Sequence, residues 1–187
     1  MDDPTPMTPQ SSRRDWNAAG VVVATLVGSL ALLVSAYTAH IQRQQVSAQV
    51  WPYLQVSNYD NEFAIKVLNK GVGPALVRGV RVWVDGQPQT DWRHALGALG
   101  VSLHGGQTST LSGNVLSAGE SLTMLRLFDE KAYRNLRAAY PRVGMEICFC
   151  STLDDCWLYS DRGQGRRAQT HATAQCPQLS PADAFQD

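Results

Sequence analysis

Charged side chains are sparse in this chain, and neither sign predominates. Lysine and arginine number 16, aspartate and glutamate also number 16, and charged residues make up 17% of the sequence. Proteins that hold nucleic acid through its phosphates carry a dense basic cluster, and the sequence contains none. We therefore expect no nucleic-acid partner.

Recognisable catalytic motifs are also lacking. No two of the four histidines stand at the helical spacing of a metal-binding pair. Residues 71–73 (Gly-Val-Gly) lack the third glycine of a dinucleotide loop, and Pro74 stands where its helix would begin. The sequence has no nucleophile elbow, zinc-protease helix or phosphate-binding loop. We predict no catalytic residue and no cofactor, and a small envelope hydrolase is the weakest hypothesis because no nucleophile supports it.

The longest stretch without a charged side chain is residues 18–39, AAGVVVATLVGSLALLVSAYTA. As a helix, its about 22 residues would be roughly 33 Å long, which matches the roughly 30 Å hydrocarbon core of a bilayer. Trp16 and Tyr37 bracket the stretch, as aromatic residues at a membrane interface do. We predict a transmembrane helix over 18–39, with the lipid bilayer as a partner.

A cleaved secretory signal is the alternative for the same stretch. Arg13 and Arg14 supply a basic start, and residues 34–36 (Val-Ser-Ala) resemble a cleavage site. A signal core has about 7–15 apolar residues, whereas this run is longer and continues past that site. We therefore prefer an uncleaved anchor.

Gly20, Ala24 and Gly28 are spaced by four residues and share one face of the predicted helix. Small residues at this spacing let a second helix approach closely, which indicates a possible helix–helix contact. Glycine and alanine are also common in membrane helices without any such contact. Both interpretations stay open.

Composition divides the rest of the chain into segments. Residues 1–17 are rich in Pro, Ser, Thr and Asp, and predict a disordered tail. Residues 40–50 contain good helix formers and predict a helical stalk. Residues 51–162 predict a β-domain, because short runs of alternating polarity are separated by turn residues. Residues 163–187 predict a tail.

The predicted fold is mainly β: an N-terminal transmembrane helix followed by an antiparallel β-sandwich with one or two short helices. Asp85-Gly86 predicts a hairpin turn, and Asp91 and Asp129 are the N-caps of helices predicted over 91–99 and 129–140. Strands are predicted over residues 53–57, 63–68, 77–84, 122–128, 143–150 and 156–160.

Two turn segments carry a family resemblance. Residues 69–75 (NKGVGPA) follow one predicted strand, and residues 116–123 (LSAGESLT) lead into another. They resemble the N-x-G … G-x-A and L-x-x-G-E-S-x-T signatures of immunoglobulin-like bacterial surface domains of the cell-adhesion-related type. The resemblance covers about 51–128, and it implies an immunoglobulin-like sandwich that serves as a binding or assembly scaffold.

The four cysteines all lie in the last third of the chain. Alternation along the strand 143–150 places Cys148 and Cys150 on the same face. If Cys150 faces Cys156 across the loop 151–155, the same register pairs Phe149 with Trp157. Sequence alone leaves three connectivities open, and we prefer Cys150–Cys156 with Cys148–Cys176, the second of which would pin the tail.

Disulfides favour an oxidising compartment, which in a bacterium is the periplasm. Arg13 and Arg14 precede the apolar stretch and only Arg43 follows it closely, a bias that places the N-terminus in the cytoplasm. We therefore expect a single-pass protein of the bacterial inner membrane with a periplasmic C-terminal domain. Its expected function is a non-enzymatic interaction or assembly module, with a protein partner or self-association.

Metal binding is the alternative function. Cys148-Phe149-Cys150 resembles the Cys-Phe-Cys copper site of the membrane-anchored cytochrome oxidase copper chaperone family, which also has one N-terminal crossing and an immunoglobulin-like domain. That resemblance implies a metallochaperone using Cys148 and Cys150, and thiolates do suit copper(I) and zinc.

Arg81 and Trp83 form a candidate interface. They alternate with Val80, Val82 and Val84, so they face away from the predicted core. Exposed tryptophan and arginine are enriched at protein interfaces. A covering helix over 129–140 would explain the same pattern.

Overall fold

The computed structural model describes residues 12–102, 105–161, 167–180 and 184–186. The chain divides into two compact units, one ending at Val46 and one beginning at Ser47. The second unit contains every β-strand of the described residues.

The described part of the first unit is helical. Helix α1 runs over Ser12–Gln49, and its side chains are exposed along the apolar stretch. By length and composition it can cross a membrane, which confirms that part of the prediction. The helix also includes the predicted stalk 40–50 up to Gln49. The disordered tail predicted over 1–17 is wrong for residues 12–17, which are helical; adding turns to an existing helix needs no new nucleus. Residues 1–11 lie outside the described ranges.

Among its described residues, the second unit has ten strands and two short helices. Helix α2 is Trp92–Ala98, helix α3 is Glu130–Ala139, and a single 3₁₀ turn covers Tyr140–Arg142. The strands are β1 Leu54–Tyr59, β2 Ala64–Asn69, β3 Ala75–Val84, β4 Gln87–Gln89, β5 Gly106–Thr108, β6 Val115–Leu116, β7 Ser121–Leu127, β8 Val143–Cys150, β9 Cys156–Asp161 and β10 Gln169–Thr173.

These strands form two antiparallel sheets. The first sheet has the order β1-β2-β7-β5, and the second has the order β10-β9-β8-β3-β4, with β6 also paired to β3. Buried side chains of both sheets belong to one hydrophobic cluster. In β3, Val80, Val82 and Val84 point into this cluster, as their alternation predicts. The fold is therefore mainly β with helices, in two antiparallel sheets.

Local signals located the turns and caps correctly. Asp85 and Gly86 have φ values of 51° and 80°, so they form the predicted turn between β3 and β4. The carboxylate of Asp91 accepts a hydrogen bond from the backbone N–H of His94 and caps α2. The carboxylate of Asp129 accepts from two backbone N–H groups at the start of α3.

Helix α3 is held at its exposed side by Asp60. Oδ1 of this residue accepts hydrogen bonds from the hydroxyl of Tyr133 at 2.7 Å and from Nε of Arg137 at 2.9 Å. The hydroxyl hydrogen bond and the guanidinium charge lower the pKa of Asp60 below its usual value. Tyr133 is itself buried, together with Ala132 and Leu136, so this residue packs in the core while its hydroxyl reaches Asp60.

Described residues of the region predicted as a tail belong to the β-domain. Strand β10 pairs with β9, and Phe185 is 2% exposed within the core. The ring of Phe185 packs edge-on against Trp92 at 5.1 Å, and its backbone N–H donates to the carbonyl of Val80 in β3. The domain boundary predicted at residue 162 is therefore too early. The sequence analysis missed this segment because a single buried aromatic among polar residues produces no periodic pattern.

Replacing Phe185 by leucine is expected to lower the free energy of unfolding by about 1–2 kcal/mol. Leucine refills part of the buried volume but loses the edge-on contact with Trp92. Urea unfolding of the detergent-solubilised protein, followed by tryptophan fluorescence, measures the change. The matched control is Phe128→Leu, because Phe128 is 64% exposed and its replacement should change stability by less than about 0.5 kcal/mol. Equal effects at both positions would contradict the burial of Phe185.

Candidate functional site: the four-cysteine cluster

The β8–β9 hairpin brings the first two cysteines together. Cys150 lies directly opposite Cys156, and Phe149 lies opposite Trp157, which confirms the predicted register. Cys150 and Cys156 form one disulfide, and Cys148 forms a second disulfide with Cys176. These are the two pairs that the sequence analysis preferred.

Cys176 reaches the hairpin because the segment after β10 crosses the second sheet. This segment lies over the face opposite the core, where Cys148 stands directly across from Gly79 in the β3–β8 register. A Cβ atom at Gly79 would lie 2.8 Å from Cδ1 of Leu179. The absence of a side chain at Gly79 therefore makes room for the crossing segment.

The two disulfides lie in contact with each other. Sγ of Cys150 is 3.8 Å from Sγ of Cys176, although each sulfur is bonded to a different partner. The sulfurs of Cys150, Cys156 and Cys176 all lie within 4.8 Å of one another. Three sulfurs of two disulfides thus form one compact cluster.

A groove of about 930 Å³ opens beside this cluster. Cys150, Cys156 and Cys176 contribute to its wall together with Arg78 and Asp154. The guanidinium of Arg78 lies 3.6 Å from the Asp154 carboxylate, and both side chains are exposed. Cys150 and Cys156 are 3% and 8% exposed, whereas Cys176 is half-buried. Of the three cysteines in the groove wall, Cys176 is therefore the most exposed.

The hairpin loop is ordered by its own polar groups. The N–H of Ser151 donates to the carbonyl of Asp155, and the N–H of Leu153 donates to Oγ of Ser151. Asp154 takes a positive φ of 60°, and Oδ2 of Asp155 accepts a 2.8 Å hydrogen bond from Ser47. Adjacent aspartates at this tip therefore form a turn, as their position in a hairpin predicts.

Arg81 and Trp83 are half-buried on the face of β3 opposite the core. The Arg81 guanidinium lies 5.2 Å from the centre of the Trp83 ring, and it also forms a 2.6 Å ion pair with Glu146. Glu146 is 2% exposed and accepts a second hydrogen bond from Ser160. The helix that the sequence analysis suggested as a cover for Trp83 is α3, and α3 packs against β7 of the other sheet.

The two turn segments that carry the family resemblance meet in space at Asn69. Its side chain is fully buried, and Oδ1 accepts hydrogen bonds from the N–H groups of Tyr53 and Gly71. Nδ2 donates to the carbonyls of Gly73 and Leu116. The turn at 69–73 and the turn before β7 are thereby joined through one amide. These four hydrogen bonds hold the backbone of the two segments together.

Gly20, Ala24 and Gly28 lie along one shallow groove on α1, together with Trp16 and Val27. Nothing lies within 4 Å of a Cβ atom placed at either glycine. The three residues thus share one face of α1, and a helix–helix contact there stays a prediction.

Sequence reasoning missed two parts of the site. The sequence analysis did not single out Arg78. In the structure, a bulge between Val77 and Gly79 leaves Arg78 outside the regular pairing of β3 with β8. Alternation along strand 143–150 places Glu146 on the same face as Cys148 and Cys150, but it does not reveal that Glu146 is buried beside Arg81. The directly opposite positions of Arg81 and Glu146 in neighbouring strands would have been the signal for this pair, once the β3–β8 register was known.

Comparison with protein-family models, with curated proteins and with solved structures finds no match for this chain.

Proposed function

We propose that this protein is a membrane-anchored, extracytoplasmic interaction module without enzymatic activity. The two disulfides carry the proposal, because such bonds persist in oxidising compartments and are rare in the cytosol. An apolar helix that is long enough to cross a bilayer precedes the disulfide-bonded domain. In this proposal the N-terminus is cytoplasmic, the membrane is a bacterial inner membrane, and the β-domain is an immunoglobulin-like sandwich in the periplasm.

The proposed contact surface is the face of β3 that carries Arg81 and Trp83. Tryptophan and arginine are the side chains that most often dominate binding energy at interfaces. The ion pair with buried Glu146 fixes the Arg81 guanidinium beside the Trp83 ring, so less side-chain freedom is lost on binding. A protein partner, or a second copy of this chain, is expected to cover this face.

A reporter enzyme that folds only after export, fused behind Asp187, tests the location. The proposal expects an active reporter, and expects the four cysteines to resist alkylation until a reductant is added. An inactive reporter together with four freely alkylated thiols would refute the extracytoplasmic location.

Replacing Trp83 by serine is expected to weaken the association at least about tenfold, because an aromatic anchor at an interface contributes about 2 kcal/mol or more. Chemical cross-linking in membranes and sedimentation in mild detergent measure partner binding and self-association. The matched control is Trp51→Ser, which removes a 43% exposed tryptophan outside β3. The proposed surface is wrong if both variants associate as the unchanged protein does, or if no association is found at all.

Metal binding by the reduced cysteines is the second candidate function. The 3.8 Å separation of the Cys150 and Cys176 sulfurs is about the edge of a tetrahedron of thiolates at the roughly 2.3 Å zinc–sulfur distance. Cys148 and Cys150, the ligands implied by the Cys-Phe-Cys resemblance, are both oxidised here and would first have to be reduced.

Metal analysis of the protein reduced under anaerobic conditions tests this candidate. A chain that binds one copper(I) or zinc ion per molecule, and loses it after Cys150→Ser, supports the metallochaperone. A reduced protein that leaves a gel-filtration column without metal supports the interaction module alone.

A further inference from the structure

The contact between the two disulfides places a potential nucleophile next to its target. Cys150 and Cys176 belong to different disulfides, and their sulfurs are 3.8 Å apart. Thiol–disulfide exchange occurs when a thiolate attacks a disulfide sulfur and expels the other sulfur of that bond. A thiolate released at Cys150 would therefore be in contact with a sulfur that it can attack.

An external thiolate can reach the cluster through the groove. Cys150, Cys156 and Cys176 line the groove, and the half-buried Cys176 is the most exposed of the four cysteines. Arg78 and Asp154 line the same groove and form an ion pair with each other. Cys148 is 4% exposed and is absent from the groove wall, so it is not an entry point.

We propose that the four cysteines form a thiol–disulfide exchange site, in which opening either disulfide leads to a new bond between Cys150 and Cys176. The co-reactant is an external dithiol. This activity goes beyond the interaction function, because it assigns the cluster a chemical step with a redox partner. It is a stoichiometric exchange that leaves one disulfide and two thiols.

The first route begins at Cys156. The incoming thiolate bonds to Sγ of Cys156 and expels the Cys150 thiolate, which attacks Sγ of Cys176 and expels the Cys148 thiolate. The second thiol of the co-reactant then attacks the co-reactant's other sulfur, which is bonded to Cys156, and releases Cys156 as a thiolate. The co-reactant leaves as a disulfide, and its two electrons and two protons remain as thiols at Cys148 and Cys156.

The second route begins at Cys176 and gives the same product. The incoming thiolate bonds to Sγ of Cys176 and expels Cys148, and the second thiol of the co-reactant then releases Cys176 as a thiolate. This thiolate attacks Sγ of Cys150 and expels Cys156. The sulfurs must close from 3.8 Å to about 2.05 Å, and Cys176 can move because it lies outside the strands.

Partial reduction of the full-length protein in mild detergent tests the proposal. The oxidised protein is treated with one equivalent of dithiothreitol, quenched with acid, alkylated and digested without further reduction. Mass mapping should find a Cys150–Cys176 peptide pair, with label on Cys148 and Cys156, as the main species with one disulfide. Retention of either original disulfide, with label on both cysteines of the other, would overturn the proposal.

Two single variants provide an independent test, and they decide the matter if no species with one disulfide accumulates. In Cys156→Ser, Cys150 starts as the only thiol, and incubation at mildly alkaline pH should move label from Cys150 to Cys148. In Cys148→Ser, label should move from Cys176 to Cys156. The yield should not change on dilution, because the step is intramolecular. Label that stays at the starting cysteine in both variants would show that the sulfurs do not exchange.

Discussion

Replacing Gly73 by alanine is expected to lower the free energy of unfolding of the β-domain by more than about 4 kcal/mol. A Cβ atom at this position would lie far inside van der Waals contact with the carbonyl group and Cα of Val50. Overpacking a side chain against other side chains costs about 1–3 kcal/mol, because those can change rotamer. Here the opposing atoms belong to the backbone, so the turn at 69–73 and the segment before β1 must move apart.

The matched control for this variant is Gly97→Ala. Gly97 lies inside α2, and nothing is found within 4 Å of a Cβ atom placed there. Alanine at this position should stabilise the domain by about 0.5–1 kcal/mol, since glycine is a poor helix former. Urea unfolding in detergent, with both disulfides kept oxidised, compares the two variants. A Gly73→Ala protein as stable as Gly97→Ala would contradict the close approach of the two backbone segments.

Replacing Asn69 by alanine is expected to destabilise the domain by about 3–5 kcal/mol. The change removes four hydrogen bonds and leaves two N–H groups, of Tyr53 and Gly71, and two carbonyls, of Gly73 and Leu116, without their amide partner. Each unpaired buried group costs about 1–3 kcal/mol, and partial relaxation or a trapped water recovers some of this.

The variant Asn69→Asp distinguishes the acceptor role of Oδ1 from the donor role of Nδ2. Aspartate can still accept from Tyr53 and Gly71, but it faces the carbonyls of Gly73 and Leu116 with an oxygen, so it should not restore stability. Asn61→Ala is the control, because Asn61 is exposed in the turn between β1 and β2. Equilibrium unfolding of the three variants should show a nearly unchanged free energy of unfolding for Asn61→Ala and a lower one for Asn69→Ala and Asn69→Asp. A stable Asn69→Ala protein would mean that the amide does not join the two turns.

The parts of the fold that sequence predicted correctly are those with a dense local signal. The uncharged run 18–39 predicted the helix, and Asp91 and Asp129 located both short helices to within a residue. The β8–β9 register followed from one requirement, that Cys150 and Phe149 both meet suitable partners on the facing strand. These signals depend on neighbours within about ten residues.

The parts that were missed depend on distant segments. Strand β10 has no apolar alternation of its own, and it forms because the β9 edge is available to it. Glu146 reads as an outward polar residue until Arg81 is placed directly opposite it. The contact between the Cys150 and Cys176 sulfurs depends on how residues 174–179 cross the sheet, and no periodic pattern in the sequence predicts that crossing. Only the tertiary arrangement supplies these relations.

One side of β3 is completed by three separate pieces of chain. Strand β4 pairs with its end, β6 pairs with its start, and between them the Val80 carbonyl accepts from Phe185. If residues 184–186 detach, a short window of unpaired backbone opens in the centre of the largest sheet. Such a window is a template for a strand from a neighbouring molecule. Changes that loosen Phe185 should therefore promote aggregation before they unfold the domain.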